Sequence, residues 1–192
     1  YQNACTLEKL VDRLFLFSKL DLGQVSFTME PVSLRDYFAD FTAENTARLA
    51  ERGLILHYTP PSGPARTAID RMQFQRVLDN LLENALKYKQ CPTVNLDLRL
   101  AETGQSVVLT VADDGPGVPA ADLPRLFDSF YRTDAARTDV KKGSGLGLAI
   151  VKQIITTLHG QIHAEETPGG GLTVVITLPQ IEEAYHETHL DH

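Results

Sequence analysis

The sequence is poor in three things whose absence narrows what the chain can be: cysteine, long apolar runs and excess positive charge. Two cysteines in 192 residues, Cys5 and Cys91, make no CxxC pair and no disulfide framework, so a reducing, cytoplasmic setting is expected. The longest apolar run, Leu14 to Phe17, is far too short to span a bilayer, and no signal peptide opens the sequence. Any membrane attachment would come through parts outside these residues. Eighteen Lys and Arg against 25 Asp and Glu leave a net charge of −7, which excludes the broad basic face that a nucleic-acid binder needs. A small anion needs only local donors and is not excluded. What is present is a hydrophobic content of 43%, enough for one ordinary domain with an appendage.

Leu7, Leu10, Val11, Leu14, Phe17 and Leu20 recur at spacings of three and four, which predicts a helix over about residues 4–22. Phe15 and Leu16 widen its apolar face. Such a helix either docks on its own domain or is half of a helical dimer stem, and the composition favours the stem. Residues 1–28 are therefore expected to be stem remnant and linker, with an extended stretch after Gly23. Ser33-Leu34-Arg35-Asp36 has a capping-box pattern and should open a helix that stops at Gly53. A strand at 54–58 and a short strand at 67–69 come next. Asp70 then caps a second helix to about Gln90. Strands at 94–100 and 107–112 meet at a turn near Gly104. The run from Asp114 to Gly145 has little periodicity, and a compact domain seldom carries that without a functional reason. A helix at 146–159 and strands at 161–165 and 172–178 close the fold. The tail, 181–192, is expected to be poorly ordered.

Four features carry the chemistry. On the helix after Asp70, Phe74, Val77, Leu78, Leu81, Leu82 and Ala85 form one apolar stripe, with Asn80, Asn84, Lys87 and Tyr88 beside it. Asparagine is a mediocre helix former, but its amide oxygen can ligate a hard cation, and an ammonium can reach phosphate. Alone, this is equally a solvated helix flank. The segment Asp113-Asp114-Gly115-Pro116-Gly117 leaves a strand and turns at once. Its carboxylate can accept from an exocyclic amine, while Gly115 and Gly117 admit a flat ligand; alone, it is an ordinary turn. Gly143-Ser144-Gly145-Leu146-Gly147-Leu148 opens a helix with exposed backbone N–H groups suited to an anion, though it is neither a Walker A loop nor a dinucleotide fingerprint. Leu126-Phe127-Asp128-Ser129-Phe130-Tyr131-Arg132 sets aromatics to anchor the irregular run and places an arginine in it.

Taken in order, these pieces resemble the N box, first glycine box, F box and second glycine box of the bacterial two-component sensor histidine kinases. Those kinases sit within the gyrase, chaperone, kinase and MutL-type ATPase superfamily. The resemblance runs from Pro31 to Pro179, and its joint pattern is specific where each piece is weak. It implies an α/β (α+β) two-layer sandwich spanning 29–180, with helices on one face of a mixed sheet and ATP under a lid. Asn84 resembles the Mg²⁺ ligand, supported by Asn80, and Lys87 and Tyr88 resemble the phosphate contact and adenine neighbour. Asp113 resembles the adenine-reading carboxylate, with Gly115 and Gly117 beside it. Arg132 resembles a phosphate contact, and Gly143, Ser144, Gly145, Leu146, Gly147 and Leu148 resemble the lid end and its helix. Gly169 to Thr173 resembles a weaker last glycine box; Leu172 stands where a small hydroxyl residue is often found and is assigned no contact.

The same resemblance implies transfer of the ATP γ-phosphoryl to a stem histidine, relay to a response-regulator receiver domain, and homodimerisation through the stem. None of the six histidines has the expected helical, acid-flanked setting, so this chain is not expected to phosphorylate itself. The rival readings are a related hydrolytic ATPase, an anti-sigma-type serine kinase and a scaffold with a dead site. The first needs a glutamate where Asn80 stands, and Glu83 projects about 100° away from Asn84 around the helix.

Overall fold

The computed structural model of the chain describes residues 2–133 and 144–181, with the backbone alone for 2–6 and Lys9. Gly143 and the tail beyond 181 lie outside the described residues. The elements, in chain order, are α1 (Gln2–Asp21), β1 (Glu30–Ser33), α2 (Leu34–Glu51), β2 (Leu54–Thr59), β3 (Arg66–Ile69), α3 (Arg71–Tyr88), β4 (Val94–Thr103), β5 (Ser106–Asp113), a 3₁₀ turn (Leu123–Arg125), α4 (Gly147–Thr157), β6 (Gln161–Glu166) and β7 (Leu172–Pro179). Five strands form a mixed sheet in the order β2-β4-β5-β7-β6, in which β2 and β4 are parallel and the other pairs antiparallel. The alternation on β4 shows why this is a two-layer fold. Val94, Leu96, Leu98 and Leu100 are buried under the helices, while Asn95, Asp97, Arg99 and Ala101 face solvent.

Both expected helix caps form. Ser33 accepts from the Asp36 backbone N–H at 3.3 Å, and Asp70 Oδ1 accepts from the Gln73 backbone N–H at 3.0 Å. Asp70 also accepts through Oδ2 from the Thr28 backbone N–H at 2.8 Å, so one buried carboxylate fastens the segment before β1 to the start of α3. That segment is more than a linker. Residues 30–33 pair antiparallel with β3 as a separate two-stranded sheet, which the chain's reading as an extended connection does not include. The pairing joins residues more than thirty positions apart, and local composition carries no trace of it.

Helix α1 is docked at one end and open at the other. Leu20 is buried, Leu16 and Phe17 pack on the core, and Asp21 Oδ1 accepts from Gln153 Nε2 of α4 at 3.1 Å. Leu7, Leu10, Val11, Leu14 and Phe15 remain exposed. The two alternatives for this helix thus divide its length between them: the C-terminal turns lie on the domain, and the preceding turns present an apolar face.

The ends of β5 and β7 meet through glycine. Gly171 has φ +108°, and a Cβ there would lie 1.8 Å from the Asp113 carbonyl oxygen. Gly117, at φ +71°, approaches the Gly171 backbone in turn. Replacing Gly171 with alanine is therefore expected to cost about 2 kcal/mol or more through strain and backbone collision. Gly104→Ala, at φ +61° with nothing within 4 Å, should cost only about 1 kcal/mol. Urea unfolding midpoints of the two variants test the difference, and equal losses would contradict it.

Candidate functional site

A cavity of about 470 Å³ opens between α3, the end of β5, the 126–133 segment and the start of α4. That volume lies in the range of small-molecule sites. Helix α3 divides its surface cleanly. Phe74, Val77, Leu78, Leu81, Leu82 and Ala85 are buried in the core, and Asn80, Glu83, Asn84, Lys87 and Tyr88 line the cavity. Asn80 Nδ2 donates to the Arg76 carbonyl at 2.8 Å, and its Oδ1 lies so near Gly147 that a Cβ there would be 2.9 Å away. Gly147 thus lets α4 begin against α3. Asn84 makes no side-chain hydrogen bond among the described residues, so its amide keeps its bonding capacity for a ligand. The Lys87 ammonium stands 4.8 Å from the Tyr88 ring centroid. Burial pushes the Tyr88 phenol up, with the Arg132 charge opposing it.

Asp113 sits at the end of β5 and lines the cavity. Its Oδ1 accepts from the backbone N–H groups of Gly115 at 2.9 Å and Leu172 at 3.2 Å, and Oδ2 has no bond among the described residues. Burial raises its pKa above the ordinary 3.8, opposed by those two N–H donors, with the Asp114 charge adding to the rise. Asp114 projects the other way and is bound by Asn95, whose backbone N–H and Nδ2 donate to it at 2.7 and 2.6 Å; these bonds hold its pKa down. Adjacent positions on a strand face opposite sides, and these two carboxylates separate accordingly.

Aromatics anchor the 126–133 segment as expected, but not all of them do so. Phe127 is buried, but Phe130 is exposed, at φ +62°. Tyr131 serves instead: its hydroxyl donates to Asp122 Oδ1, Arg125 lies over its ring at 4.4 Å, and it lines the cavity with Arg132 and Thr133. The Phe130 backbone N–H donates to the Gly145 carbonyl at 3.1 Å, and a Cβ on Gly145 would meet the backbone of 130 and 131 within 3 Å. Phe130 and Gly145 are thereby held together beside the cavity. Ser144 Oγ is buried there with no hydrogen-bond partner among the described residues.

Of the residues expected at the site, Asn80, Asn84, Lys87, Tyr88, Asp113, Gly117, Arg132, Ser144, Gly145, Gly147 and Leu148 line the cavity. Gly115 does not; it donates to Asp113 instead. Leu146 does not either, being fully buried in the core beneath α4. Gly143 lies outside the described residues. Residues not anticipated include Arg13 from α1, Lys89, Pro116, Val118, Tyr131 and Leu172. Leu172 contributes its backbone N–H to Asp113, which side-chain chemistry could not reveal. Glu83 reaches the cavity edge despite its offset on α3, but it is engaged by Arg52 Nη2 at 2.8 Å. Lys89 is likewise committed, donating to the Arg52 and Pro92 carbonyls at 2.9 and 2.7 Å. Among the described residues no histidine lines the cavity, and no described helix is long and apolar enough to cross a membrane.

Comparison with known proteins agrees with this arrangement. The family model of the histidine kinase-, DNA gyrase B- and HSP90-like ATPases matches residues 69–182, which take in α3, the Asp113 turn, α4 and β7. The chain is 36% identical over 174 residues to the signal transduction histidine-protein kinase BaeS of Escherichia coli (strain K12), covering 91% of this chain and 37% of that protein. It is 39% identical over 174 residues to the sensor histidine kinase CpxA of the same strain, covering 90% of this chain and again 37% of the relative. The chain thus spans well under half the length of these curated relatives. Among solved structures, full-length ShkA in complex with AMPPNP superposes with a TM-score of 0.74 at 26% identity, over 90% of this chain and 35% of that one. With its matched region covering α3, Asp113 and α4 together, the chain belongs to the family of histidine kinase-, DNA gyrase B- and HSP90-like ATPases.

Proposed function

We propose that the cavity binds ATP and that the chain is the ATP-binding catalytic portion of a sensor histidine kinase. The observation that carries this reading is Asp113: a half-buried carboxylate at a strand end, with one oxygen held by two backbone N–H groups and the other available at the cavity. Oδ2 suits the exocyclic amine of adenine, with Gly117 and Leu172 beside it. The phosphates would then extend toward the N-terminal turn of α4, where backbone N–H groups and the unpartnered Ser144 Oγ favour an anion. Lys87 and Arg132 add positive charge along that path. The AMPPNP held by the related ShkA supports the choice of an adenine nucleotide.

Asn84 fits a role as the single protein ligand of Mg²⁺. No cluster of three His, Cys, Asp or Glu side chains capable of holding a metal exists among the described residues, whereas Mg²⁺ commonly takes one or two protein oxygens together with phosphates and water. When bound with the nucleotide, the ion supplies neutralisation of phosphate charge. The chain's own groups orient the triphosphate and stabilise charge. With no histidine among the described residues that line the cavity, the phosphoryl acceptor is a histidine carried elsewhere in the full protein, and a receiver domain takes the group onward. Glu83 is tied to Arg52 and Asn80 is an amide, so neither of these α3 neighbours offers Asn84 a free general base for water, which disfavours a hydrolytic role. The exposed apolar side of α1 supports pairing of two copies through a stem, and the relatives' names support a signalling role.

Calorimetric titration with AMPPNP and Mg²⁺ tests the site. Asp113→Asn keeps an acceptor for Gly115 and Leu172 but turns an amide donor toward the adenine amine; affinity is expected to fall at least about 100-fold with the fold intact. Unchanged affinity would remove the assignment. Asn84→Ala should abolish the Mg²⁺-dependent part of the affinity and leave the metal-free part within about 2-fold. Equal binding with and without Mg²⁺ by the wild type would contradict the metal role.

Asp113 also sets a pH dependence of the unliganded chain. Its folded pKa is raised, so the folded state holds that proton more tightly than the unfolded one, and ionisation destabilises the fold above the raised value. Asp113→Asn is therefore expected to be more stable than wild type at pH 7. The difference should shrink as pH falls through the raised value and be gone below 3.8. Urea denaturation at pH 7, 5 and 3.5 measures it; a gap that grows on acidification would reverse the sign.

A further inference from the structure

Helix α1 reaches the cavity through one residue, Arg13. At 100° per residue, Leu16, Phe17 and Leu20 lie within about 60° of Arg13 around the helix. Those three are the apolar side chains that dock α1 on the core, so Arg13 continues the docked stripe where an apolar residue would otherwise stand. The packing partner of α1 is α4, with Asp21 bonded to Gln153 near one end of the contact. Ser144, Gly145, Gly147 and Leu148, at the start of α4, line the same cavity as Arg13. Asp113, at the proposed adenine end, belongs to β5 instead. No hydrogen bond or ion pair engages Arg13 among the described residues.

We propose that Arg13 is a nucleotide-binding residue whose guanidinium contacts the terminal phosphate of a bound nucleoside triphosphate, so that the phosphate tail holds α1 against the catalytic body. The assignment rests on the adenine-nucleotide reading of the cavity. Guanidinium suits this role because its planar fork matches phosphate oxygens in two parallel bonds, and the α4 N-terminus draws the same phosphates from the other side. The coupling runs both ways: a triphosphate favours docked α1, and docked α1 favours a triphosphate over a diphosphate.

Calorimetry on the full 192-residue chain with AMPPNP and, separately, ADP, both with Mg²⁺, is the test. Arg13→Ala should weaken AMPPNP about 5- to 10-fold and ADP less than about 2-fold, and Arg13→Lys should recover part of the loss. Hydrogen exchange adds a second readout: amides of residues 11–20 should be more protected with AMPPNP than with ADP in the wild type and equal in Arg13→Ala. Unchanged AMPPNP affinity, or parallel losses for both nucleotides, would overturn the proposal while leaving the Asp113 site standing. A wild type that binds neither nucleotide would overturn both readings together.

Discussion

The structure turns on the pair of hydrogen bonds that hold the Asp113 carboxylate. A half-buried carboxylate is costly unless bonded, and the donors here are the backbone N–H groups of Gly115 and Leu172, from two separate segments. Each donor depends on a missing Cβ. A side chain on Gly115 would stand 2.9 Å from Asp113 Oδ1, and one on Gly171 would collide with the Asp113 carbonyl. The β5 end, the Asp114–Gly117 turn and the start of β7 thus converge on one side chain. Bonding through Oδ1 fixes the carboxylate plane and leaves Oδ2 for a ligand, so the contacts that make the strand ends compatible also orient the group expected to read the base. Asp114 shows how local this is: one position further on, the same functional group spends both oxygens on Asn95 and tethers the turn to β4.

Helix α3 obeys a second constraint, because it must be core and binding surface at once. Its apolar side is buried by the sheet and α4, and burial of that stripe offsets the poor helix propensity of two asparagines. Asn80 belongs to both sides. Its amide bonds back onto its own helix, while its oxygen stands where only a glycine of α4 can approach. A larger residue at 147 would push the start of α4 away from α3 and widen the space in which phosphates are expected to lie. The glycines of the second glycine box therefore serve packing here as much as ligand approach: Gly145 lets the 130–131 backbone cross it, and Gly147 accommodates Asn80.

Much of this was legible in the sequence because it rests on local rules. The apolar stripe of α3, the caps at Ser33 and Asp70, the alternation on β4 and the turn at Gly104 all depend on neighbours within one or two turns. What escaped reading depends on distance along the chain. The pairing of β1 with β3, the approach of Arg13 from α1 and the Leu172 N–H that reaches Asp113 across 59 residues have no local signature. The 126–133 segment was half legible: its aromatic content indicated anchoring, but which aromatic would be buried depended on the left-handed turn at Phe130. Leu146 lies inside a glycine motif, yet its side chain is buried in the core, so any part it takes in binding falls to its backbone.

On the proposed reading the cavity orients a nucleotide, and no histidine stands among its described lining residues, so a kinase built on this fold would bring an acceptor to the open side and later withdraw it. The manner in which α1 is held suits that requirement. Full burial of Leu20, partial burial of Leu16 and Phe17 and one polar bond to Gln153 hold it against the domain, and burying one leucine contributes about 1.5–3 kcal/mol. A contact of that size lies within the range that a ligand's differential affinity for two arrangements can shift. A helix sealed into the core by its whole apolar face could not respond to the nucleotide, and one with no contact would not register it. The exposed Leu7 to Phe15 side keeps α1 available to a neighbouring helix, while its C-terminal turns stay in contact with α4. On the proposed reading the helix can therefore pass the state of the cavity along its length, because its C-terminal turns are docked on the domain and Arg13 stands at the cavity, while Leu7, Leu10, Val11, Leu14 and Phe15 stay exposed.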